Sequence, residues 1–419
     1  MKRVLYLAPR FHTNQYYPTR ILIENGVELR FLARHTLKVE NRTEVSPIIL
    51  GDNILTKIIE RIAGKPMDYG LPPIAKIVKE ARDFKPDIAI IRVPGLYSWI
   101  SLLLIRTLGI RTILYTQDIM VGGTRRSAIG KLYDRIVQPI KNCLVHCEIT
   151  PLAGMKTSLA PIPSADDGIC HNYLLDGLDD PHLGVFVDNP PQRCYRKPLA
   201  IKRFGISTYP TYHIPLVIEW MGEGRPDLKG LEDMRIMMVS EFQPRKRILE
   251  TIDILHKLVT MGKSVHLTII GNADRPHTKH HLEAVRSSIR ESGLDSHVTI
   301  ITDIPHEDVL KEYKNNHLFL LTALNEPAAY SVLEAMANGI AVITSNDNGL
   351  QECIIDGFNG FVFEKYDLEG LEDLLKVLCN DREMLLSLGA NNEQVIKSLY
   401  LPRVYHDYLR YAHDNIRPE

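Results

Sequence analysis

Two glutamates in the second half of the chain have the type and spacing to bind a ligand rich in hydroxyl groups. Glu326 lies in a loop after an apolar run, and seven residues separate it from Glu334. A helix is predicted to begin between them, near Tyr330 and Ser331. The start of a helix has N–H groups without partners and the positive end of the dipole, so it is a candidate phosphate site. The two carboxylates flank this site and suit hydrogen bonds from sugar hydroxyls, although a glutamate in a first helical turn also stabilises a helix without any ligand.

Alternating strand and helix patterns position these residues. In the second half we predict strands over 234–239, 265–270, 298–301, 318–321 and 340–344. The predicted helices cover 248–260, 280–292, 306–315, 331–338, 368–379, 382–389 and 391–413. Strands separated by helices indicate parallel pairing through right-handed crossovers, and therefore a doubly wound sheet.

The first half has a similar pattern with a less regular end. Strands are predicted over 2–8, 27–33, 88–92 and 112–116, and helices over 19–25, 73–84 and 97–108. From 150 to 218, prolines and glycines are frequent and helical periodicity is weak, with strand-like runs at 183–187 and 213–217. The glycines and proline of 219–231 predict a hinge.

These patterns predict an α/β protein with two domains and a terminal helix. We expect a first Rossmann-like domain over 1–218, a second over 219–395 and a helix over 396–419 that packs back on the first domain. Ligands of doubly wound sheets bind outside the carboxyl ends of the strands, where the strand order reverses. Two such domains that face one another would form a central cleft.

The segment from Glu326 to Gly339 resembles the Glu-x7-Glu signature of family 4 retaining glycosyltransferases, which have the GT-B fold of two Rossmann-like domains. Three further matches occur in the family's order: the basic strand-to-helix loop within 239–252, the strand and glycine at 267–271, and the glutamate followed by Asp-Gly-Phe-Asn-Gly within 350–362. The resemblance covers residues 235–375. The first half resembles the family only in outline.

The resemblance implies that 1–218 is the acceptor-side domain and that 219–395 is the nucleotide-sugar-binding domain. It also implies a reaction and a site. The donor would be a nucleoside-diphosphate sugar, which is a substrate and not a cofactor, and no metal would be needed. Lys246 would neutralise the diphosphate as the sugar leaves, because a positioned cation stabilises the charge that grows in the transition state. Glu326 would contact the transferred sugar and Glu334 the ribose. The further donor-binding residues are Arg245, Arg247, Ala329, Tyr330, Ser331 and Gly271. A solvated basic loop remains the alternative for 245–247.

Three departures from the family bear on the acceptor side and on the donor. A glycine-rich loop usually follows the first strand, but here it contains His12, Thr13 and Asn14. These residues could bind the acceptor or the donor phosphate, and packing within the loop is the alternative. Gln117 stands where the family often has a histidine, and it cannot hold a positive charge. The arginine often found before the lysine is replaced by Ser240-Glu241, so Arg245 or Arg247 would have to restore its charge.

Composition bounds the class of protein. The 419 residues are 45% hydrophobic and 24% charged, typical of a globular protein with two cores, and the formal net charge of −1 does not favour nucleic acid as a partner. The six cysteines are scattered and predict free thiols in a reducing compartment.

The apolar run at 4–8 is too short for a signal peptide, so we expect a cytoplasmic protein. The basic stretch 125–141 could lie on anionic lipid or be a solvated helix face.

We therefore predict a retaining, metal-independent glycosyltransferase. Its acceptor would be a glycan, a lipid-linked saccharide or a small hydroxyl compound, in assembly of a bacterial envelope polysaccharide. A sugar-nucleotide epimerase or a phosphorylase of the same fold is an alternative enzyme, and a non-catalytic subunit that scaffolds a partner transferase is an alternative from another class.

Overall fold

The computed structural model describes residues 1–11, 13–36, 45–63, 70–92, 96–116, 144–150, 199–200, 211–219, 233–326 and 328–416. The chain divides into two compact units. The first contains Met1–Val217 together with Pro402–Glu419, and the second contains Ile218–Leu401. The sequence had indicated boundaries at 218 and 395.

The first unit is an α/β structure in its described part. Its strands are β1 (Arg3–Arg10), β2 (Glu28–His35), β3 (Ile48–Ile49), β4 (Ile88–Arg92), β5 (Arg111–Tyr115), β6 (Cys147–Thr150), β7 (Leu199–Ala200) and β8 (Thr211–His213). Four helices connect them in the amino-terminal portion: α1 (Thr13–Glu24), α2 (Ile54–Ala63), α3 (Ile74–Phe84) and α4 (Leu96–Thr107). The sheet order is β3-β2-β1-β4-β5-β6-β8-β7, in which only the β7–β8 pair is antiparallel among the described strands.

The central strands of this sheet are buried on both faces. Residues of β1 from Val4 to Ala8 have no more than 1% of their surface exposed, and Ile88 to Ile91 of β4 are equally buried. Near-continuous apolar runs of this kind are typical of parallel strands covered by helices on both sides. The strand order reverses between β1 and β4, which pair in register from Val4 with Ile88.

The second unit repeats this architecture. Its strands are β9 (Met234–Val239), β10 (Val265–Gly271), β11 (Val298–Thr302), β12 (Leu318–Leu321), β13 (Ala341–Ser345) and β14 (Gly360–Phe363). Its helices are α5 (Ile248–Thr260), α6 (Pro276–Glu291), α7 (His306–Glu312), α8 (Tyr330–Ala337), α9 (Leu368–Asn380) and α10 (Arg382–Leu399). The last helix of the chain, α11 (Pro402–Asp414), belongs to the first unit.

The second sheet is parallel throughout its described strands, in the order β11-β10-β9-β12-β13-β14. The order reverses between β9 and β12, because β10 and β11 lie on one side of β9 and the later strands on the other. The loops that follow β9 and β12 therefore leave the sheet side by side at its carboxyl edge, the usual ligand position in this architecture.

The prediction of two doubly wound α/β units is confirmed by these sheets. Strands β4, β9 and β12 and helix α5 have the predicted bounds. The strand predicted at 213–217 is wrong in position, because the described strand β8 ends at His213. The run at 183–187 lies outside the described residues, and α2, β3, β6 and β14 were not predicted.

The start of α1 was predicted wrongly. The sequence indicated a loop containing Pro18 followed by a helix from 19, but α1 begins at Thr13 and includes Pro18. Proline removes the N–H that would bond to the carbonyl four residues earlier. The adjacent Thr19 hydroxyl donates to the carbonyl oxygens of Gln15 at 2.6 Å and Tyr16 at 3.0 Å. The Thr19 hydroxyl thus adds hydrogen bonds to backbone carbonyls in the turn that contains Pro18.

The two helices predicted at 382–389 and 391–413 are also divided differently. Gly389 lies inside α10, which continues to Leu399, and the break occurs before Pro402. A Cβ atom at Gly389 would lie 2.0 Å from the carbonyl oxygen of Gly339. This glycine permits a close approach between backbones and does not end a helix.

None of the described helices is long and apolar enough to cross a bilayer. Cys147, Cys353 and Cys379 are free thiols within the described part of the chain.

Candidate functional site

The loop after β9 presents a lysine and two arginines at the carboxyl edge of the second sheet. A single 3-10 turn, Pro244–Lys246, follows an extended residue, and Arg247 then adopts a left-handed backbone with φ of 56°. Such a conformation is uncommon outside glycine. The Arg247 N–H donates to the Pro244 carbonyl oxygen at 3.0 Å, which closes the turn before α5 begins.

The loop after β12 is hydrogen-bonded to this turn. The Leu324 N–H donates to the Arg245 carbonyl oxygen at 2.8 Å, and the Thr322 hydroxyl donates to the Lys246 carbonyl oxygen at 2.9 Å. The two loops follow neighbouring strands, so the contacts arise where the strand order reverses. Their backbones are therefore held in a fixed relation.

Lys246, Arg245 and Glu326 form one ionic cluster. Glu326 Oε2 lies 2.5 Å from Lys246 Nζ and 2.9 Å from an Arg245 guanidinium nitrogen. The Glu326 side chain is 12% exposed and that of Lys246 is 9% exposed, whereas Arg245 is 39% exposed. Burial acts to raise the pKa of Glu326, but the charges and hydrogen bonds of Lys246 and Arg245 outweigh it, so the pKa is lowered and the carboxylate is ionised near neutral pH.

This cluster has the charge to attract an anion. Two cations and one carboxylate leave a formal charge of one positive unit among the three side chains. Arg245 is oriented from the other side by the Gln243 side-chain oxygen, 3.1 Å from Nε. A positive, partly buried cluster of fixed geometry can bind a phosphate group, and its ionised carboxylate can accept hydrogen bonds from hydroxyls.

A third loop, after β13, fixes the backbone of Glu326. The Glu326 N–H donates to the Asp347 carbonyl oxygen at 3.0 Å, and the Gly349 N–H donates to the Glu326 carbonyl oxygen at 2.9 Å. The Asp347 carboxylate accepts from the Asn325 N–H at 2.8 Å and lies 3.2 Å from Lys365 Nζ. We did not identify Asp347 from the sequence. Its position directly after a buried strand, at the same sheet edge, was the available signal.

Glu334 belongs to a second network. It lies in α8 and is 3% exposed. Its carboxylate lies 2.6 Å from His306 Nε2 and accepts a hydrogen bond from the Tyr313 hydroxyl at 3.0 Å. His306 is the first residue of α7, after β11, and Tyr313 follows that helix. Sequence reasoning missed both partners, although a histidine at a helix start beyond a strand could have been noticed.

The start of α8 is the predicted phosphate site. Its N-cap residue is Ala329, with φ of −77° and ψ of 98°, and no side chain caps the helix. Ala328, Ala329 and Tyr330 are all buried. The phosphate was predicted to bind the N–H groups of Ala329, Tyr330 and Ser331. These residues lie at the start of α8, between Glu326 and Glu334 in the chain.

Contacts within the protein explain the presence of two predicted donor-binding residues, Arg247 and Gly271. Arg247 is buried, donates to the Lys365 carbonyl oxygen and lies 3.4 Å from Glu250. Gly271 ends β10, where a Cβ atom would lie 1.9 Å from the Ser240 carbonyl oxygen. Arg245 therefore, and not Arg247, provides the second cation beside Glu326. The binding roles of Arg247 and Gly271 stay predictions.

The acceptor-side prediction falls largely outside the described residues. His12 and Gln117 lie there, as does the basic stretch 125–141. The backbone of Thr13 and Asn14 forms the first turn of α1 and not a loop. Among the described residues no group of three acidic, histidine or cysteine side chains is placed to hold a metal ion.

Comparison with known proteins gives matches over both units. Residues 225–395 match the model of the family "Glycosyl transferases group 1". The capsular polysaccharide biosynthesis glycosyltransferase CapM of Staphylococcus aureus is 24% identical over 179 residues, which cover 42% of this chain and 44% of CapM. The chain thus matches less than half the length of this relative.

Solved structures match nearly the whole chain. Sucrose-phosphate synthase from Thermosynechococcus elongatus superposes with a TM-score of 0.64 at 15% identity, over 96% of this chain and 95% of that one. HepE of Anabaena, solved in complex with UDP and glucose, gives a TM-score of 0.63 at 13% identity over 99% of both chains. At these identities the likeness shows the fold, and the predicted GT-B fold is confirmed. Residues 225–395 accordingly match the glycosyl transferases group 1 family, in a chain of GT-B fold.

Proposed function

We propose that this protein is a retaining glycosyltransferase that moves a sugar from a nucleoside-diphosphate sugar to a hydroxyl group of an acceptor, without a metal ion. The observation that carries the proposal is the cluster of Lys246, Arg245 and Glu326 at the carboxyl edge of the second sheet. It lies where the strand order reverses, in the domain that matches the transferase family.

The cluster supplies the charges that such a reaction needs. Lys246 and Arg245 stabilise the diphosphate as the bond between its oxygen and the anomeric carbon breaks, because negative charge then grows on that oxygen. Diphosphate binding would draw Lys246 partly away from Glu326, whose ionised carboxylate would accept hydrogen bonds from the sugar. The start of α8 adds N–H groups for the same ligand.

Retention of configuration requires bond formation on the face from which the phosphate departs. The acceptor oxygen bonds to the anomeric carbon on that face, and its proton passes to the departing phosphate oxygen. We assign no covalent nucleophile to the protein. Its contribution is the positioning of both substrates and the electrostatic stabilisation of the leaving group.

The relatives support the class of donor and acceptor. HepE was solved with UDP and glucose, and CapM is named for capsular polysaccharide biosynthesis. We propose a nucleoside-diphosphate sugar as donor for this chain, and a glycan, lipid-linked saccharide or small hydroxyl compound as acceptor in polysaccharide assembly.

The first experiment identifies the donor. A panel of nucleoside diphosphates and their sugars is tested by thermal shift, because a ligand that binds the native state raises its apparent stability. The best binder is then incubated with the protein, and release of nucleoside diphosphate is followed. Slow hydrolysis of the donor supports a transferase. Binding without turnover, with or without an acceptor, would support the scaffold alternative instead.

The decisive variant is Glu326→Gln, which keeps the shape of the side chain and removes its charge. We expect donor turnover to fall about 100-fold or more, the usual cost of losing a group that acts in the transition state. Glu372→Gln is the matched control, because Glu372 also pairs with two lysines, Lys257 at 2.7 Å and Lys376 at 2.8 Å, but on α9. Equal turnover of the two variants would remove Glu326 from the site.

A further inference from the structure

Helix α2 of the first unit presents an apolar face to solvent. Its exposed fractions are 76% for Ile54, 57% for Leu55, 47% for Ile58, 40% for Ile59 and 81% for Ile62. Single exposed apolar side chains are normal on a protein surface, but five within a helix of ten residues are a concentration that needs an explanation. At 100° per residue, these five side chains project from the helix within an arc of about 140°.

The opposite face of α2 is polar and attached to the first unit. The Thr56 side chain is fully buried, and its hydroxyl oxygen accepts from the Leu71 N–H at 2.8 Å. One turn further, Glu60 accepts from Arg34 at 3.1 Å, and Arg34 also donates to Asp52 at 2.6 Å. The helix is thus held to its domain by hydrogen bonds and ion pairs, while its largest apolar side chains point away. This is the reverse of the usual orientation of a surface helix.

The charges of α2 are also divided by face. Lys57 and Arg61 are exposed, and at helical spacing both lie next to the apolar arc. The acidic residue of the helix, Glu60, is turned inward and neutralised by Arg34. The outward surface therefore combines an apolar arc with a positive edge.

Apolar side chains are also exposed on the segments before and after α2. Ile48 and Ile49 form the edge strand β3 and are 38% and 49% exposed, and Ile74 at the start of α3 is 49% exposed. Asn53 connects these segments, since its side chain accepts from the Leu55 N–H at 2.8 Å and donates to the Pro72 carbonyl oxygen at 3.0 Å. The first turn of α2 is therefore anchored next to the start of α3.

We propose that α2 docks the protein on an anionic lipid surface. A rigid helix about 15 Å long, with branched apolar side chains along one arc and basic side chains beside it, matches the boundary between acyl chains and negatively charged headgroups. The isoleucines enter the acyl region, and Lys57 and Arg61 contact the headgroups. Charge complementarity selects this partner over another protein surface. The proposal uses only α2 and its neighbours, so it does not depend on the transferase activity.

Vesicle flotation of the full chain tests the proposal. Vesicles of phosphatidylcholine mixed with phosphatidylglycerol should bind the wild-type protein more tightly than vesicles of phosphatidylcholine alone, and added salt should weaken that binding. The double variant Ile58→Ser, Ile62→Ser should lose about tenfold or more of its binding to the mixed vesicles. The charge variant Lys57→Glu, Arg61→Glu should lose about as much at low salt.

Matched controls come from the second unit. Val377→Ser removes a side chain on α9 that is 55% exposed, and Lys279→Glu with Arg290→Glu reverses two exposed charges on α6. Both controls should bind mixed vesicles within about twofold of the wild type, since the changed residues are not part of α2 or of its flanking segments. Equal losses in the control and α2 variants would overturn the proposal.

Two further measurements separate lipid binding from other causes. Trp in place of Ile58 (Ile58→Trp) should give a blue-shifted emission on addition of mixed vesicles and quenching by brominated lipid. An unchanged emission spectrum of Ile58→Trp would contradict the proposal, whatever result the serine variants give. Light scattering without lipid should give the same mass for the wild type and for Ile58→Ser, Ile62→Ser. A wild-type dimer that this variant dissociates would instead identify α2 as an interface between copies of the chain.

Discussion

Contacts with two side chains help to fix the orientation of the Glu334 carboxylate. His306 Nε2 lies 2.6 Å from it, and the Tyr313 hydroxyl donates to it at 3.0 Å. The resemblance to family 4 glycosyltransferases implies that Glu334 binds the ribose of the donor. If it does, then His306 is a positioning residue for donor binding. It would act before the chemical step and not in it.

His306→Ala should therefore raise the KM for the donor about tenfold and leave kcat within about threefold, because one charge-assisted hydrogen bond that orients a binding group is lost. Steady-state kinetics with the donor identified by thermal shift gives both constants. His277→Ala on the exposed surface of α6 is the control and should change neither. A large fall in kcat with unchanged KM would contradict the positioning role.

His317 gives the second unit a pH-dependent stability. Burial, with Arg382 and Arg235 beside the ring, lowers the pKa of His317 from its usual 6.5 to about 4. In the unfolded chain the same ring binds a proton at a higher pH. Folding is thus favoured by the neutral ring above about pH 6.5, and this contribution is lost as the pH falls towards 4.

Urea unfolding between pH 7 and pH 4 should show this loss, at about 2–3 kcal/mol over the window. His317→Gln should unfold with a smaller pH dependence, because glutamine does not titrate, whereas His277→Gln should keep the wild-type slope. Glu326 is present in both proteins, so the stability that its lowered pKa loses in acid does not affect the comparison of their slopes. An identical slope in His317→Gln and the wild type would exclude this histidine as the cause.

At the scale of elements, the sequence predicts best what local periodicity determines. Strands β4, β9 and β12 and the amphipathic α5 were located at their observed bounds, because apolar runs and helical spacing are properties of the segment itself. The candidate cluster of Lys246 and Glu326 was likewise predictable from a motif. The partners of the two glutamates were not predictable in this way. Asp347 contacts the Glu326 loop and His306 contacts Glu334 only because of the order of the strands in the sheet.

Glycine and proline gave wrong predictions where a tertiary contact decides their role. Pro18 was placed in a loop before a helix predicted from residue 19, and Gly389 was placed at the end of a helix predicted over 382–389. Both residues lie inside helices. The reason for Gly389 is visible only in three dimensions, since the backbone of Gly339 occupies the space of a side chain. Segment periodicity carries no information on such a contact.

Gly389→Ala tests this explanation. Alanine favours a helix by about 1 kcal/mol over glycine, so local propensity alone predicts stabilisation. A Cβ atom 2.0 Å from the Gly339 carbonyl oxygen instead predicts a net loss of about 2 kcal/mol or more in the free energy of unfolding, measured by urea titration. Ser387→Ala, at an exposed position of the same helix, should be neutral or slightly stabilising. If Gly389→Ala also stabilises, the close approach does not constrain the helix.

At the scale of the whole molecule, the chain builds two units with the same central strand order. The alternating pattern predicted both units, because each strand needs a crossover helix to reach its parallel neighbour. The return of the chain end to the first unit was expected, although no property of the last segment specifies which unit it joins. In the structure α11 packs against α1 within the first unit.

The contribution of α11 should therefore be confined to the first unit. Leu409 is fully buried, and Leu409→Ala should destabilise the first unit by about 2–4 kcal/mol, as expected for a cavity left by a leucine. Hydrogen–deuterium exchange should then show faster exchange in β1 and α1, with unchanged exchange in β9 and α5 of the second unit.

Arg410→Ala, one residue further on the exposed side of α11, is the control and should leave both units unchanged. Equal acceleration in β9 and in β1 after Leu409→Ala would mean that the two units unfold as one cooperative structure. Acceleration in the first unit alone would mean that residues 402–414 complete a domain whose other described elements end at His213, about 190 positions earlier in the chain. Truncation before Pro402 would then remove part of the first core, and the loss would fall on the domain that we assign to the acceptor.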